Sequence, residues 1–107
     1  MTRIAAIILS ILIIIPLNSI AGDLTSGKKL ARKCSVCHGW DGISRDPEAP
    51  HLAGMSKLYF IKQMEAYQSS QRQDRRMTII AKPLSEADIE DLAEWFSQHT
   101  ITVTAPE

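Results

Sequence analysis

Two kinds of apolar pattern divide the chain. From Ile4 to Ile15 the sequence is apolar throughout, interrupted only by Ala5, Ala6 and Ser10, and Pro16 ends the run. Beyond Gly22 apolar residues recur at helical spacing between polar ones. Thr25 or Ser26 can cap a first helix over Gly27 to about Cys37, with Leu30 and Ala31 facing inward and Lys28, Lys29, Arg32 and Lys33 in solvent. Ser56 reads as the cap of a second helix to about Ser70, with Tyr59, Ile61, Met64 and Tyr67 as its buried side. Ser85-Glu86-Ala87-Asp88 supplies a cap and first-turn acids for a last helix, whose Ile89, Leu92, Ala93 and Phe96 form an i, i+3, i+4, i+7 stripe edged by Trp95. Between these lie two connections. Gly39 to Pro50 is rich in breakers (Gly39, Asp41-Gly42, Asp46-Pro47) and holds Trp40, whose ring is expected to pack over the loop or a bound group. Gln71 to Lys82 passes from charged (Arg72, Asp74, Arg75, Arg76) to apolar (Met77 to Ala81), stops at Pro83, and reads as a loop. Thr100 to Glu107 reads as a frayed tail. No alternating strand pattern survives beyond the N-terminal run, so the fold class is all-α, with three to four helices.

The apolar run is not part of that domain. Arg3 is a short positive region ahead of it, and Ser19-Ile20-Ala21 places small residues where a signal peptidase cuts. Residues 1–21 are therefore expected to be a cleaved secretory signal peptide, leaving residues 22–107 as a single domain in the periplasm. The alternative is an uncleaved anchor, but Ile4 to Ala21 is barely long enough to span a bilayer and contains Pro16 and Asn18. After cleavage no membrane span remains. Of the 12 basic residues in the chain Arg3 is lost, and the mature part keeps 11 basic against 12 acidic. That balance gives no reason to expect nucleic acid or an anionic membrane surface as a partner.

The chemistry sits at Cys34-Ser35-Val36-Cys37-His38. Residues three and four apart on a helix face the same way, so both thiols and the imidazole can meet one flat ligand. Cys-x-x-Cys-His is the attachment pattern of c-type haem: the thiols add to the porphyrin vinyl groups and the histidine supplies a nitrogen to iron. A redox Cys-x-x-Cys would follow a strand, whereas this one follows the basic, helix-forming Gly27 to Lys33. A structural zinc site would need further ligands, and the chain has no third cysteine and only His51 and His99 besides. One covalently bound haem c is the reading. A domain of about 86 residues is marginal by itself, and small exported domains lean on disulfides or metals. Here both cysteines belong to the haem motif, so the cofactor completes the core and the haem-free chain is expected to fold poorly.

With His38 on one side of the iron, the other axial position decides function: a methionine or histidine there suits electron transfer, and an open position suits gas binding. Met55, Met64, Met77, His51 and His99 are the candidates. Met64 lies on an apolar helix side, where methionine is usually core. Met55 adjoins the second-helix cap and His99 the chain end. Met77 lies in a loop beyond the charged run and can swing over the far face.

The segments Cys34-Ser35-Val36-Cys37-His38-Gly39, Asp41-Gly42 and Pro50-His51-Leu52-Ala53-Gly54 resemble class I cytochromes c. Tyr59, Gln63-Met64, Arg72, Met77, Ile80-Ala81-Lys82, Leu84-Ser85 and Leu92-Ala93-Glu94-Trp95-Phe96 are similar to the cytochrome subunit of flavocytochrome c sulfide dehydrogenase, and equally to single halves of dihaem periplasmic cytochromes c. The match covers nearly all of the mature chain, though its motifs beyond the haem site are short. The resemblance implies a small class I cytochrome c fold around one haem. It also implies that the Pro50 carbonyl engages the second nitrogen of His38, that Leu52 packs on the haem, and that Met77 is the distal ligand. Met55 stands where glutamine is common in that family, and Ser70 where glycine is common.

The function expected is one-electron transfer, with no catalytic acid, base or nucleophile to name. Partners would be redox proteins, donor and acceptor alike. One alternative is the haem subunit of a flavin-containing or other dehydrogenase complex, with a flavoprotein as the stable partner. A second is a ligand sensor with an open sixth position. Arg72, Arg75 and Arg76 precede Met77 and are expected at the haem rim, either steering a partner or neutralising haem propionates.

Two outcomes check this reading. Acidic organic solvent leaves the haem on the chain, the intact mass exceeds the chain by one haem, and Cys34→Ala with Cys37→Ala yields no holoprotein; haem that extracts freely refutes covalent attachment. N-terminal sequencing of the exported protein begins at Gly22, whereas Met1 or Thr2 on a membrane-bound red protein identifies an anchor.

Overall fold

The computed structural model describes Ile13 and residues 21–107; the expected signal segment otherwise lies outside the described residues. Four helices carry the fold: α1 (Leu24–His38), α2 (Lys57–Gln68), α3 (Met77–Ala81) and α4 (Glu86–Ser97). No strand occurs among the described residues, and none of their helices is long and apolar enough to cross a membrane. The all-α expectation holds.

Helix α1 starts earlier than Thr25 or Ser26 suggested. Asp23 is its N-cap, with Oδ1 accepting from the Ser26 amide at 2.7 Å. The Asp23 amide in turn donates to Asp91 Oδ1 at 2.6 Å, so one residue caps α1 and ties it to α4. The two helices approach closely at Gly27, which is buried. A Cβ there would run into the Asp91 carbonyl and lie 2.8 Å from Trp95 Cβ. Glycine is required at this crossing for space. Helix α4 opens on a complete capping box, Ser85 Oγ accepting from the Asp88 amide and Asp88 Oδ2 accepting from the Ser85 amide. Its Ile89, Leu92, Ala93 and Phe96 are all buried, as the stripe predicts.

Helix α2 buries Phe60, Met64 and Tyr67. The expected inward residues Tyr59 and Ile61 are different: Tyr59 is 51 % exposed and Ile61 only half-buried. The run Leu58-Tyr59-Phe60-Ile61 is apolar on every side, so its period is ambiguous. Contact with α4 settles it, because Phe60 stacks on Phe96 with ring centroids 5.8 Å apart. At the far end of α2, Gln68 Nε2 donates to the carbonyls of Ala81 (2.9 Å) and Leu84 (2.7 Å), fastening α3 to α2. Ser70 takes φ 64, the left-handed conformation that a glycine would adopt without strain.

Two further expectations change. Met77 is not in a loop but opens the five-residue α3. Trp40 does not line the cavity and is 82 % exposed, because the chain turns at Gly39 (φ 83) immediately after α1 and carries the next residue outward. The tail after Thr100 is irregular and exposed, as read from the sequence.

The core is small. It consists of Ala31, Leu52, Phe60, Met64, Tyr67, Ala81, Ile89, Leu92, Ala93 and Phe96, and Leu92 is its one large side chain that is fully buried. Leu52, Phe60, Met64 and Tyr67 also line a cavity.

Gly27→Ala should lower the stability of the holoprotein by about 1–3 kcal/mol through overpacking at the α1–α4 crossing, read as an earlier denaturant midpoint. A gain of about 1 kcal/mol, the helix-propensity benefit of alanine alone, would show that the crossing has room to give.

Candidate functional site

The last turn of α1, the connection ending at Leu52, helix α2 and the segment Arg72 to Leu84 enclose a cavity of about 240 Å³. Cys34, Cys37 and His38 all line it, as i, i+3 and i+4 require. The motif closes a helix and follows no strand, the context that separates haem attachment from a thioredoxin-type pair. In the haem-free chain both thiols are free, and burial pushes the Cys34 thiol up to about 11 against the opposing charge of Lys33. Both residues line the cavity wall.

His38 is buried, 7 % exposed. Its Nδ1 lies 2.8 Å from the Pro50 carbonyl oxygen, so Nδ1 carries the hydrogen and donates it. The Nε2 lone pair is then left for a metal, with the ring orientation fixed from behind. Local structure explains why Pro50 sits there. Gly39 N donates to the Ser35 carbonyl and ends α1; the Leu52 and Ala53 amides both donate to the Gly42 carbonyl; Ser44 Oγ donates to the Cys37 carbonyl at 3.0 Å. These bonds fold the connection back along α1. Leu52 is buried and lines the cavity.

Across the cavity stands Met77. Helices α1 and α3 both border it and do not pack on one another. The Met77 amide donates to Asp74 Oδ1 at 2.9 Å, as does the Arg76 amide at 2.8 Å, and the Asp74 amide donates to Thr78 Oγ1 at 2.9 Å. Those two N–H donors hold the Asp74 carboxyl below the usual carboxylate range. Asp74 thus serves as the capping side chain of α3, a role the sequence reading missed.

The other axial candidates separate cleanly. His51 is exposed, off the cavity, and its Nδ1 accepts from the Ser44 amide at 2.8 Å. His99 Nδ1 lies 2.9 Å from the Trp95 carbonyl oxygen, and its ring meets Trp95 edge-on. Met55 and Met64 do reach the cavity, Met55 half-buried against the core and Met64 within it. The three arginines are engaged. Arg72 lies over the Tyr67 ring at 4.9 Å and donates to Gln63 Oε1 at 2.7 Å. Arg75 pairs with Glu48 at 2.7 Å and Arg76 with Asp46 at 2.9 Å.

Two thiols, an imidazole with its outer nitrogen satisfied, a thioether on a separate element and apolar walls of Leu52, Phe60 and Met64 form a donor set that fits haem. The cytochrome c family model matches residues 24–100. The chain belongs to the cytochrome c family. Its relatives include cytochrome c4 of Pseudomonas aeruginosa, 37 % identical over 83 residues that are 78 % of this chain and 41 % of that one. Cytochrome c-554(548) of Halomonas halodenitrificans is 38 % identical over 80 residues, 72 % of this chain and 96 % of that protein. The crystal structure of reduced recombinant cytochrome c4 from Pseudomonas stutzeri superposes with a TM-score of 0.71 at 35 % identity, covering 78 % of this chain and 48 % of that one. The chain thus spans about half the length of the cytochromes c4 it matches, in keeping with the likeness to single halves of dihaem proteins. This cytochrome binds one haem c covalently at its Cys34/Cys37/His38 motif.

Proposed function

We propose that this cytochrome is a periplasmic one-electron carrier whose iron is held between His38 and Met77. Residues 22–107 are the working domain, exported by a signal peptide that ends at Ala21. The observation that carries the reading is the pairing of two positioned side chains on separate walls of one cavity: His38, held at Nδ1 by Pro50, and Met77, held at its amide by Asp74. The His38 ring is fixed by its hydrogen bond to the Pro50 carbonyl, and the Met77 backbone by the hydrogen bond its amide donates to the Asp74 carboxylate. Met55 and Met64 share the cavity, but Met55 adjoins the α2 cap half-buried against the core and Met64 is buried within it.

The haem, when bound, supplies the iron couple that takes up and gives back one electron. The chain's part is to bind the ring by two thioethers, to close both axial positions and to keep water from the apolar walls. A methionine ligand favours the ferrous state relative to a second histidine. Pro50 acts on the other side, keeping His38 in one tautomer and raising its basicity. Leu52 packs on the ring. Partners are redox proteins that donate and accept the electron. A flavoprotein bound in stable stoichiometry on native purification would place the chain as a dehydrogenase subunit instead of a free carrier.

Met77→Ala should keep the haem covalent yet open the iron. The oxidised protein loses the absorption of the iron–thioether bond, and the reduced protein binds CO. The potential falls by on the order of 0.1 V, a fraction of the ~0.8 V range that axial ligands span. The same changes after Met55→Ala, with none after Met77→Ala, would refute the ligand assignment.

A further inference from the structure

The segments that carry the two sides of the proposed iron site are joined directly by two neighbouring arginines, Arg75 and Arg76, of which Arg76 also lines the cavity. Arg76 immediately precedes Met77, and its backbone is the cap of α3: its carbonyl accepts from the Ile79 and Ile80 amides, both at 3.1 Å. Its guanidinium reaches back over the cavity to the connection that ends at Pro50. Nη1 donates to Asp46 Oδ2 at 2.9 Å and lies 3.9 Å from Cys37 Sγ, and Nη2 lies 3.4 Å from Glu48 Oε2. Asp46 is itself locked. The Glu48 amide donates to its Oδ1 at 2.9 Å, its own amide donates to Ser44 Oγ at 3.1 Å, and its carbonyl accepts from Ser44 Oγ and the Ala49 amide. Hydrogen bonds from Arg76 and from the Glu48 amide hold its carboxyl below the ordinary aspartate range.

The neighbouring arginine shows what an ordinary pair at this place looks like. Arg75 bonds Glu48 at a shorter distance, but the two side chains are 74 % and 64 % exposed, against 32 % and 30 % for Arg76 and Asp46. Exposed pairs contribute little, because water competes and both long side chains must be ordered. The half-buried, rigidly held pair is the one able to transmit position.

We propose that the Arg76–Asp46 pair is a clasp across the cofactor edge beside Cys37, which holds Met77 against the iron by tying α3 to the segment that orients His38. Arg76 is a positioning residue: it touches neither axial bond and acts through Met77. The inference rests on Met77 being the distal ligand. Helix α3 has only five residues and cannot hold a place by its own stability. Its anchors are Gln68 at its far end, the Asp74 turn at its start, and the Arg76 side chain, whose half-buried bond to Asp46 is backed by the exposed Arg75–Glu48 pair. Without that link Met77 swings away more often, and the sixth position opens for a larger fraction of the time.

The test uses full holoprotein and compares Arg76→Gln, Asp46→Asn, their combination, Arg76→Lys, Arg75→Gln and Met77→Ala. The readouts are CO association with the reduced protein and the iron–thioether absorption of the oxidised protein. Arg76→Gln and Asp46→Asn should each speed CO association by about tenfold, within the range for contacting groups in double-mutant cycles. The combination should do no more than either alone, Arg76→Lys should restore part of the effect, and Arg75→Gln should leave wild-type behaviour. If Arg76→Gln yields no holoprotein, Asp46→Asn and Arg76→Lys carry the same comparison. A lower unfolding midpoint with unchanged CO rate and unchanged absorption overturns the clasp, since that is the signature of a merely stabilising ion pair. An additive combination, or an equal effect from Arg75→Gln, also overturns it. Retention of the iron–thioether absorption by Met77→Ala would instead remove the ligand reading on which the clasp depends.

Discussion

The hydrogen bond from His38 Nδ1 to the Pro50 carbonyl, at 2.8 Å, is the interaction on which the rest of the molecule turns. It joins the end of α1 to the chain twelve residues later, and the whole breaker-rich connection is shaped to make it. Gly39 ends the helix with a positive φ, the Gly42 carbonyl receives two amides from Leu52 and Ala53, and Ser44 bridges back to Cys37. The result is that Leu52 is buried at the cavity wall and the imidazole presents a single nitrogen inward. A histidine free to rotate would offer either nitrogen and a poorer ligand.

The surrounding helices are built around a space they do not fill. α1 and α4 meet through Gly27 because their backbones approach too closely for a side chain, and α2 reaches α4 through Phe60 and Phe96. That packing forms one half of a core; the cavity between α1, α2 and α3 is the other half. Covalent haem supplies it, which explains how so few buried apolar residues hold a chain whose two cysteines are both committed to the cofactor.

Local chemistry made much of this legible from residues alone. Cys34, Cys37 and His38 are fixed by the geometry of one helical turn, and the Ser85–Asp88 capping box by a four-residue motif. Met77 was singled out for standing after a charged run before Pro83, although the segment it opens is a helix and not a loop. Five residues are too few for periodicity to register, and what makes them helical is a side chain three positions earlier, Asp74. Asp23 was passed over as a cap because Thr25 and Ser26 stand beside it and all three are good caps; the tie to Asp91, 68 residues away, decides among them. Phe60 was hidden inside four consecutive apolar residues. The Arg75 and Arg76 pairs cross 27 to 30 residues of sequence, and opposite charges that far apart carry no mark of being partners until the chain is folded.

The two faces of the cofactor are held by unequal means. On the α1 side there are two covalent bonds to the ring, a buried imidazole and a hydrogen-bonded connection behind it. On the α3 side, in the proposed ligation, there is a thioether on a five-residue helix, kept in place by Gln68, Asp74 and Arg76. Local opening in proteins begins where few apolar contacts and exposed polar bonds hold a segment, and α3 with its preceding charged turn fits that description better than any other part of the core. In that proposed ligation stress reaches the distal side first, and Met77 would leave the iron while haem, His38 and the α1–α4–α2 packing stay intact. The same asymmetry suits the proposed role as an electron carrier. It keeps the cofactor permanently in the chain and, in the proposed ligation, concentrates control of the sixth position in a few side chains, of which Arg76 ties α3 to the segment that orients His38.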